Sequence, residues 1–139
     1  MLLEVATPDR LLIKEDVLQV EVPAADGVLG ILPDHAPLVS ALGSGALAYT
    51  TQAGGQRRFV AISGGWVEVV NNRVRVLADK AELGEEIDTK RAEEALRRAS
   101  ERLNHPTAEL DVARAINAMK RAQARIAVAN LAGSPISKH

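Results

Sequence analysis

Ile87-Asp88-Thr89-Lys90-Arg91-Ala92 is the stretch at which the sequence changes periodicity. Upstream, apolar residues recur at every second position, as in Leu18, Val20, Val22 and again in Val74, Val76, Ala78, which is the spacing of half-buried strands. Downstream, Ala92, Ala95, Leu96, Ala99 and Leu103 fall on one stripe of a helix and leave the charges on its other faces. Asp88 suits the N-cap of that helix, because its carboxylate can accept an orphan backbone N–H and faces the positive end of the helix dipole. A helix start that favours anions, beside Arg91, is also a candidate ligand site.

Working back from this boundary, residues 2–7 read as a strand that stops at Pro8-Asp9-Arg10, and residues 11–13 and 17–22 alternate as two further strands, the second closed by Pro23. From Asp26 to Pro37 two glycines and two prolines enclose a short apolar run, so a shaped loop is expected there. Residues 38–42 and 46–50 follow as strands around Gly43-Ser44-Gly45. Gly54-Gly55 and Asn71-Asn72 tolerate positive φ and mark two hairpins, the first between residues 46–52 and 57–62 and the second between residues 66–70 and 73–78. Short strands with frequent turn signals predict about eight to ten strands in an antiparallel β-sandwich. Ser63 lies in a tight turn on this reading, and Trp66 is a core or anchor residue.

Forward from the boundary, a first helix over residues 89–103 must end before Pro106. A second places Val112, Ala115, Ile116, Met119, Ala122, Ile126 and Ala129 on one stripe, with Asp111 or Thr107 as its cap and Gly133-Ser134-Pro135 as its stop. The predicted fold is therefore α+β: a sandwich over residues 1–86, a two-helix antiparallel hairpin over 87–133, and a flexible tail over 134–139. Both stripes are rich in alanine, which buries little area at about 25 cal/mol per Å². A weakly packed, movable hairpin is expected.

Composition narrows the function. Hydrophobic residues make up 47% of the 139 and aromatics only 2%, so the core must be built from Val, Leu, Ile and Ala. There is no cysteine, hence neither a disulfide framework nor a thiolate metal site. No apolar run approaches the ~20 residues that span a bilayer, and the acidic start lacks the basic region of a leader, so a soluble chain is expected. Residues 1–86 hold 7 Lys/Arg against 12 Asp/Glu, and residues 87–139 hold 10 against 6, which makes the second part the better partner for an anion. The sequence contains no G-x-x-x-x-G-K-[ST] cradle, and Gly43-Ser44-Gly45 leads into a strand rather than a helix. His35, His105 and His139 lack metal-ligand spacing, and nothing near Ser63 supplies a base. Nucleic acid fits the second part poorly, because acids are interspersed there and no aromatics are available for stacking.

Arg91 and Arg98 share one helix face by spacing, as do Arg121 and Arg125. If the two helices fold back on each other, four guanidiniums could converge on one polyphosphate, for which planar donor forks are suited. On spacing alone, a solvated basic face is the alternative. Glu82, Glu85 and Glu86 read as a solvated acidic turn.

The runs Val5-Ala6-Thr7-Pro8-Asp9, Gly30-Ile31-Leu32-Pro33-Asp34-His35-Ala36-Pro37-Leu38 and Ile62-Ser63-Gly64-Gly65-Trp66-Val67-Glu68-Val69, followed by the helical pair, resemble the epsilon subunit of the bacterial or chloroplast-type F-type ATP synthase. The resemblance covers nearly the whole chain. It implies a non-catalytic rotor subunit that couples proton-driven rotation to ATP synthesis and is attached to the gamma subunit and the c ring. By the same resemblance, Asp26, Gly27, Val28 and His35 would lie on the side that meets them. The place so implied is the cytoplasmic face of the bacterial cell membrane, or a thylakoid membrane for a plastid chain. A switch is implied too: the folded hairpin permits hydrolysis, and the extended hairpin meets the alpha and beta subunits of the catalytic head and blocks it. In members that bind ATP as a regulatory ligand, the site uses an Ile/Leu-Asp-x-x-Arg-Ala motif. Here that motif is Ile87, Asp88, Arg91 and Ala92, with Glu82, Arg98, Arg121 and Arg125 at the matching positions. Two other readings remain open, a free-standing ATP-sensing or protein-interaction module and a hydrolase built on Ser63.

Overall fold

The computed structural model describes residues 1–133, so the expected tail over 134–139 lies outside the described residues. Seven strands precede two helices: β1 (Leu2–Ala6), β2 (Leu11–Ala24), β3 (Gly27–Ile31), β4 (Leu38–Ala41), β5 (Ser44–Thr51), β6 (Arg57–Val70), β7 (Arg73–Leu83), then α1 (Thr89–Asn104) and α2 (Val112–Gly133). The α+β class is the one expected, with seven strands in place of eight to ten. The number falls because expected pairs fuse. The runs 11–13 and 17–22 belong to one 14-residue strand, β2, and the runs 57–62 and 66–70 belong to another, β6.

The fusion in β6 has a local cause. Gly64 and Gly65 adopt φ of 71° and 113°, and a Cβ on Gly65 would strike the backbone of Leu77. Only glycine bends a strand this way without ending it. Before the bend β6 pairs with β5, from Ser44↔Ser63 to Thr50↔Arg57; beyond it β6 pairs with β4, from Ala41↔Trp66 to Leu38↔Val69. What reads as a tight turn around Ser63 is thus a corner within one strand. Pro23 does not close β2, which runs on to Ala24 opposite Gly27.

All pairings are antiparallel except β1 with β7, and β1 also pairs with β2. The order β1-β7-β6-β5-β2 therefore closes on β1, and the sandwich is a flattened barrel. Its interior is aliphatic, with Leu3, Val5, Val20, Val22, Leu47, Val60, Val67, Val74 and Val76 all fully buried.

A single 3-10 turn (Gly84–Glu86) leads to α1, where Asp88 is the N-cap and its carboxylate accepts the backbone N–H of Arg91 at 3.1 Å. Asp111, not Thr107, plays the same part for α2, accepting the N–H of Arg114 at 3.0 Å. The helices fold back on each other, and α2 lies across β5 and β6. A second, small apolar cluster forms there from Ala48, Phe59, Ala61 and Val128, joined by Ala46 and Ile87. The expected stripe on α2 holds at Ala115 and Ala122 but fails at Val112, which is 52% exposed. Ala124 and Val128, outside that stripe, are buried, so α2 carries two apolar faces, one of which meets the sandwich.

Candidate functional site

Glu82, Arg98, Arg121 and Arg125 converge on one cleft of about 410 Å³ at the seam between sandwich and hairpin. Lys80 and Glu82 reach it from the same face of β7, as the two-residue period of a strand requires. Arg121 and Arg125 enter from one face of α2 and Arg98 from α1. The apolar part of the lining comes from Ala61, Ile62, Ala81, Ala95, Ala118 and Ala122.

Arg125 grips Glu82 with two nitrogens, Nε to Oε2 at 2.8 Å and Nη2 to Oε1 at 3.4 Å. The pair is about seven-tenths buried, and it joins α2 to β7. Arg98 has only Glu94 of its own helix, at 3.9 Å. Lys80 and Arg121 have no ion-pair partner among the described residues. Four cations against one carboxylate, beside an alanine-lined wall, suit an anion that carries an apolar moiety. The volume lies within the roughly 300 to 1,000 Å³ of small-ligand sites. Among the described residues there is no His, Cys, Asp and Glu cluster that could hold a metal ion.

The other residues of the expected ligand set lie outside this cleft. Asp88 is engaged as the cap of α1, and Ala92 is fully buried in the helix packing. Ile87 packs against the Phe59 and Val128 cluster and lines a separate hollow with Arg57, Arg58 and Gly84. Arg91 is exposed on α1. These residues set the start of α1 and hence the position of Arg98, two helical turns on.

Asp26, Gly27, Val28 and His35 do not form one cluster. Gly27 and Val28 begin β3, next to the end of α2 near Leu131, whereas His35 stands beyond the other end of that strand. His35 Nδ1 lies 2.7 Å from the carbonyl of Ala36, and the preceding Asp34, at φ 63°, donates its N–H to Asn72 Oδ1 at 2.9 Å. The loop after β3 is therefore pinned to the β6–β7 turn. Val28 and Leu32 are 74% and 60% exposed.

A further surface escapes the sequence reading. Trp66 is not core but 59% exposed. Register places it in a row that crosses the outer face of the sheet, Ala41–Trp66–Leu77–Ala6–Leu11. Leu77 and Leu11 are exposed as well, and the next row along, Val39–Glu68–Arg75–Glu4–Lys14, is mostly charged. An apolar row with a charged border has the form of a protein-contact face. The signal was present in the parity of β6: Val67 and Val69 point inward, so Trp66 shares the outward face with Glu68.

No helix among the described residues is long and apolar enough to cross a membrane. Two family models match, "ATP synthase, Delta/Epsilon chain, beta-sandwich domain" over residues 1–84 and "ATP synthase, Delta/Epsilon chain, long alpha-helix domain" over residues 85–130. An ATP synthase epsilon chain from Solibacter usitatus is 50% identical over 92% of this chain and 94% of its own length. One from Desulforamulus reducens is 48% identical, covering 91% and 95%. Among solved structures, a chain in the Euglena gracilis mitochondrial ATP synthase, described as OSCP/F1/c-ring, aligns with a TM-score of 0.78 at 25% identity, over 90% of this chain and 78% of that one. A chain of the Tetrahymena thermophila central stalk and c-ring structure shares the fold, with a TM-score of 0.59 at 16% identity, covering 96% of each chain. With both domains matched in order along the sequence, the chain belongs to the ATP synthase delta/epsilon family, among the epsilon chains.

Proposed function

We propose that this chain is a rotor subunit of an F-type ATP synthase whose hairpin is a latch, closed by ATP and open to inhibit hydrolysis. The sandwich attaches to the gamma subunit and the c ring, for which the Trp66 row and the exposed Val28 and Leu32 are the available faces. The subunit does no chemistry of its own. The observation that carries the latch is the cationic cleft at the seam, because its cations come from α1, α2 and β7 and assemble only while the hairpin is down.

The donor set fits ATP. Guanidiniums from two helices offer forked donors to phosphate oxygens, and the alanine wall offers a face for the base. A ligand that binds only the docked state stabilises it by RT ln(1 + [L]/Kd), about 2.7 kcal/mol at a hundredfold excess over Kd. That amount decides between two conformers when the seam itself is weak, and half of this one is alanine. When ATP is scarce the hairpin extends along gamma toward the alpha and beta subunits and blocks wasteful hydrolysis at the membrane-bound complex.

The test has two parts. Calorimetric titration of the isolated chain with ATP should show binding that Arg98→Ala and Arg121→Ala each weaken by at least about tenfold, or 1.4 kcal/mol. Deletion of residues 88–139 should relieve inhibition of hydrolysis in the assembled enzyme. Absence of binding at millimolar ATP sinks the ligand, and unchanged hydrolysis after the deletion sinks the latch.

A further inference from the structure

The outer face of the sheet that carries Trp66 holds a second pattern beside its apolar row. Across β6, β7, β1 and β2 the neighbouring row reads Glu68, Arg75, Glu4, Lys14, so the charges alternate in sign from strand to strand. Among the described residues Glu68, Arg75 and Lys14 have no ion-pair partner, and Glu4 has only Arg73, at 3.6 Å. Glu68 and Lys14 are exposed, and the two charges between them are half-buried. A row of four alternating charges has a property that a uniform patch lacks: read backwards, it is its own complement.

We propose that this face pairs with the same face of a second copy of the chain, about a two-fold axis that runs along the strands between β7 and β1. Such an axis lays each row on itself in reverse. Glu68 then meets the partner's Lys14 and Arg75 meets the partner's Glu4, and symmetry repeats both contacts. In the next row Trp66 lies against the partner's Leu11 and Leu77 against the partner's Ala6, which sets larger side chains opposite smaller ones. The charges fix the axis. Moved onto β7, it puts Glu68 on the partner's Glu4 and Arg75 on the partner's Arg75; moved onto β1, it puts Arg75 on the partner's Lys14 and Glu4 on the partner's Glu4. Like charges so placed oppose association, so the position between the two strands is selected. Five strands about 4.8 Å apart and three outward rows about 6.8 Å apart make a patch of roughly 480 Å² per copy, well below the roughly 800 Å² that each partner of a stable pair contributes. The pair is therefore weak and exchanges readily. Its apolar row is also the face proposed for the gamma subunit, so self-pairing covers that row in the unassembled chain and gives way when gamma is present.

The experiment is sedimentation equilibrium of the isolated chain between about 10 µM and about 1 mM, where monomer and dimer should exchange reversibly and the dimer should weaken as salt is added. Lys14→Glu and Glu68→Lys each set like charges at two symmetry-related contacts, and each should weaken the dimer by about tenfold or more. The double variant Lys14→Glu/Glu68→Lys restores opposite charges at both contacts and should return the dimer to within about threefold of the wild type. An equimolar mixture of the two single variants should pair for the same reason. Both residues are exposed, so the variants should fold. Within one copy the two stand three strands apart, roughly 14 Å, and each substitution sets a like charge beside Glu4 or Arg75. An effect on the sheet alone would therefore be worse in the double variant, whereas an effect on the interface is repaired there. A wild type that stays monomeric at about 1 mM overturns the proposal. Single variants that dimerise like the wild type overturn the choice of face, and a double variant no better than the singles overturns the two-fold register.

Discussion

Gly84→Ala should open the hairpin without touching a charge. Gly84 is buried at the junction of the two domains, and a Cβ there would stand 2.8 Å from Ala132 Cβ, 3.0 Å from the carbonyl oxygen of Phe59 and 3.3 Å from Val128 Cγ1. Its φ lies outside the left-handed region, so alanine meets no backbone strain and the whole effect is steric. Phe59 O belongs to the β6 backbone and cannot give way, whereas Ala132 and Val128 belong to α2, which can. Overpacking by one methyl costs typically about 1 to 3 kcal/mol, and here the load falls on docking rather than on the sandwich. The opening equilibrium of α2 should rise by a factor of about 5 to 150. Native-state hydrogen exchange reads this directly: amides in the middle of α2 should exchange faster by that factor while those of β6 and β7 stay unchanged. Gly54→Ala is the control, since a Cβ there meets nothing within 4 Å. If Gly84→Ala alters α2 exchange by less than about twofold, or speeds the sheet amides equally, the docking described here is wrong.

Two further outcomes follow from the sandwich. Tyr49, the single tyrosine, has its hydroxyl pushed from 10.0 up to about 12, first by burial and then by the charge of Glu15. Because the folded state holds this proton more tightly than the unfolded state, the contribution to stability is full below pH 10, declines from there and is lost as the pH rises through about 12, a total of about 2 to 3 kcal/mol; an ultraviolet titration of the folded chain with a midpoint at 10 would refute it. Trp66→Asp should abolish co-purification with the gamma subunit and shift the melting temperature of the isolated chain by less than about 2 °C; a large loss of stability would mean that the indole is core after all.

The change from strands to helices was legible because the two periods, two and 3.6, cannot be confused over stretches as long as β7 and α2. The caps were legible too, since Asp88 and Asp111 stand where orphan N–H groups need an acceptor. Two kinds of error have physical reasons. Glycine pairs signal a break in pattern but not whether the chain turns back or bends onward, and Gly64–Gly65 bends. Alanine reports neither inside nor outside, so the second apolar face of α2, built on Ala124 and Val128, was invisible beside the stripe through Ala122. In the cleft, Arg121 and Arg125 were legible as a same-face pair on α2, whereas of the pair read on α1 only Arg98 reaches it and Arg91 does not. Lys80 was not, because nothing in its local sequence tells that β7 carries it to the flank of α2.

On the proposed latch, the abundance of alanine at the seam has a physical reason. A buried methylene contributes about 0.8 kcal/mol, so a leucine in place of one interface alanine would add about 2.4 kcal/mol from its extra three carbons if the seam could accept them. That is close to the 2.7 kcal/mol or so that a hundredfold excess of ligand supplies. In the proposed latch, one such residue would favour the docked hairpin about as strongly as a hundredfold excess of ligand does, with the fold intact. A seam of Ala46, Ala48 and Ala61 against Val128, with Ala132 close to the bare backbone at Gly84, would keep docking within the reach of the proposed ligand. The larger groups Phe59 and Ile87 sit where the hairpin leaves the sandwich, so they anchor its root, and in the proposed latch the cationic end is the part that would respond.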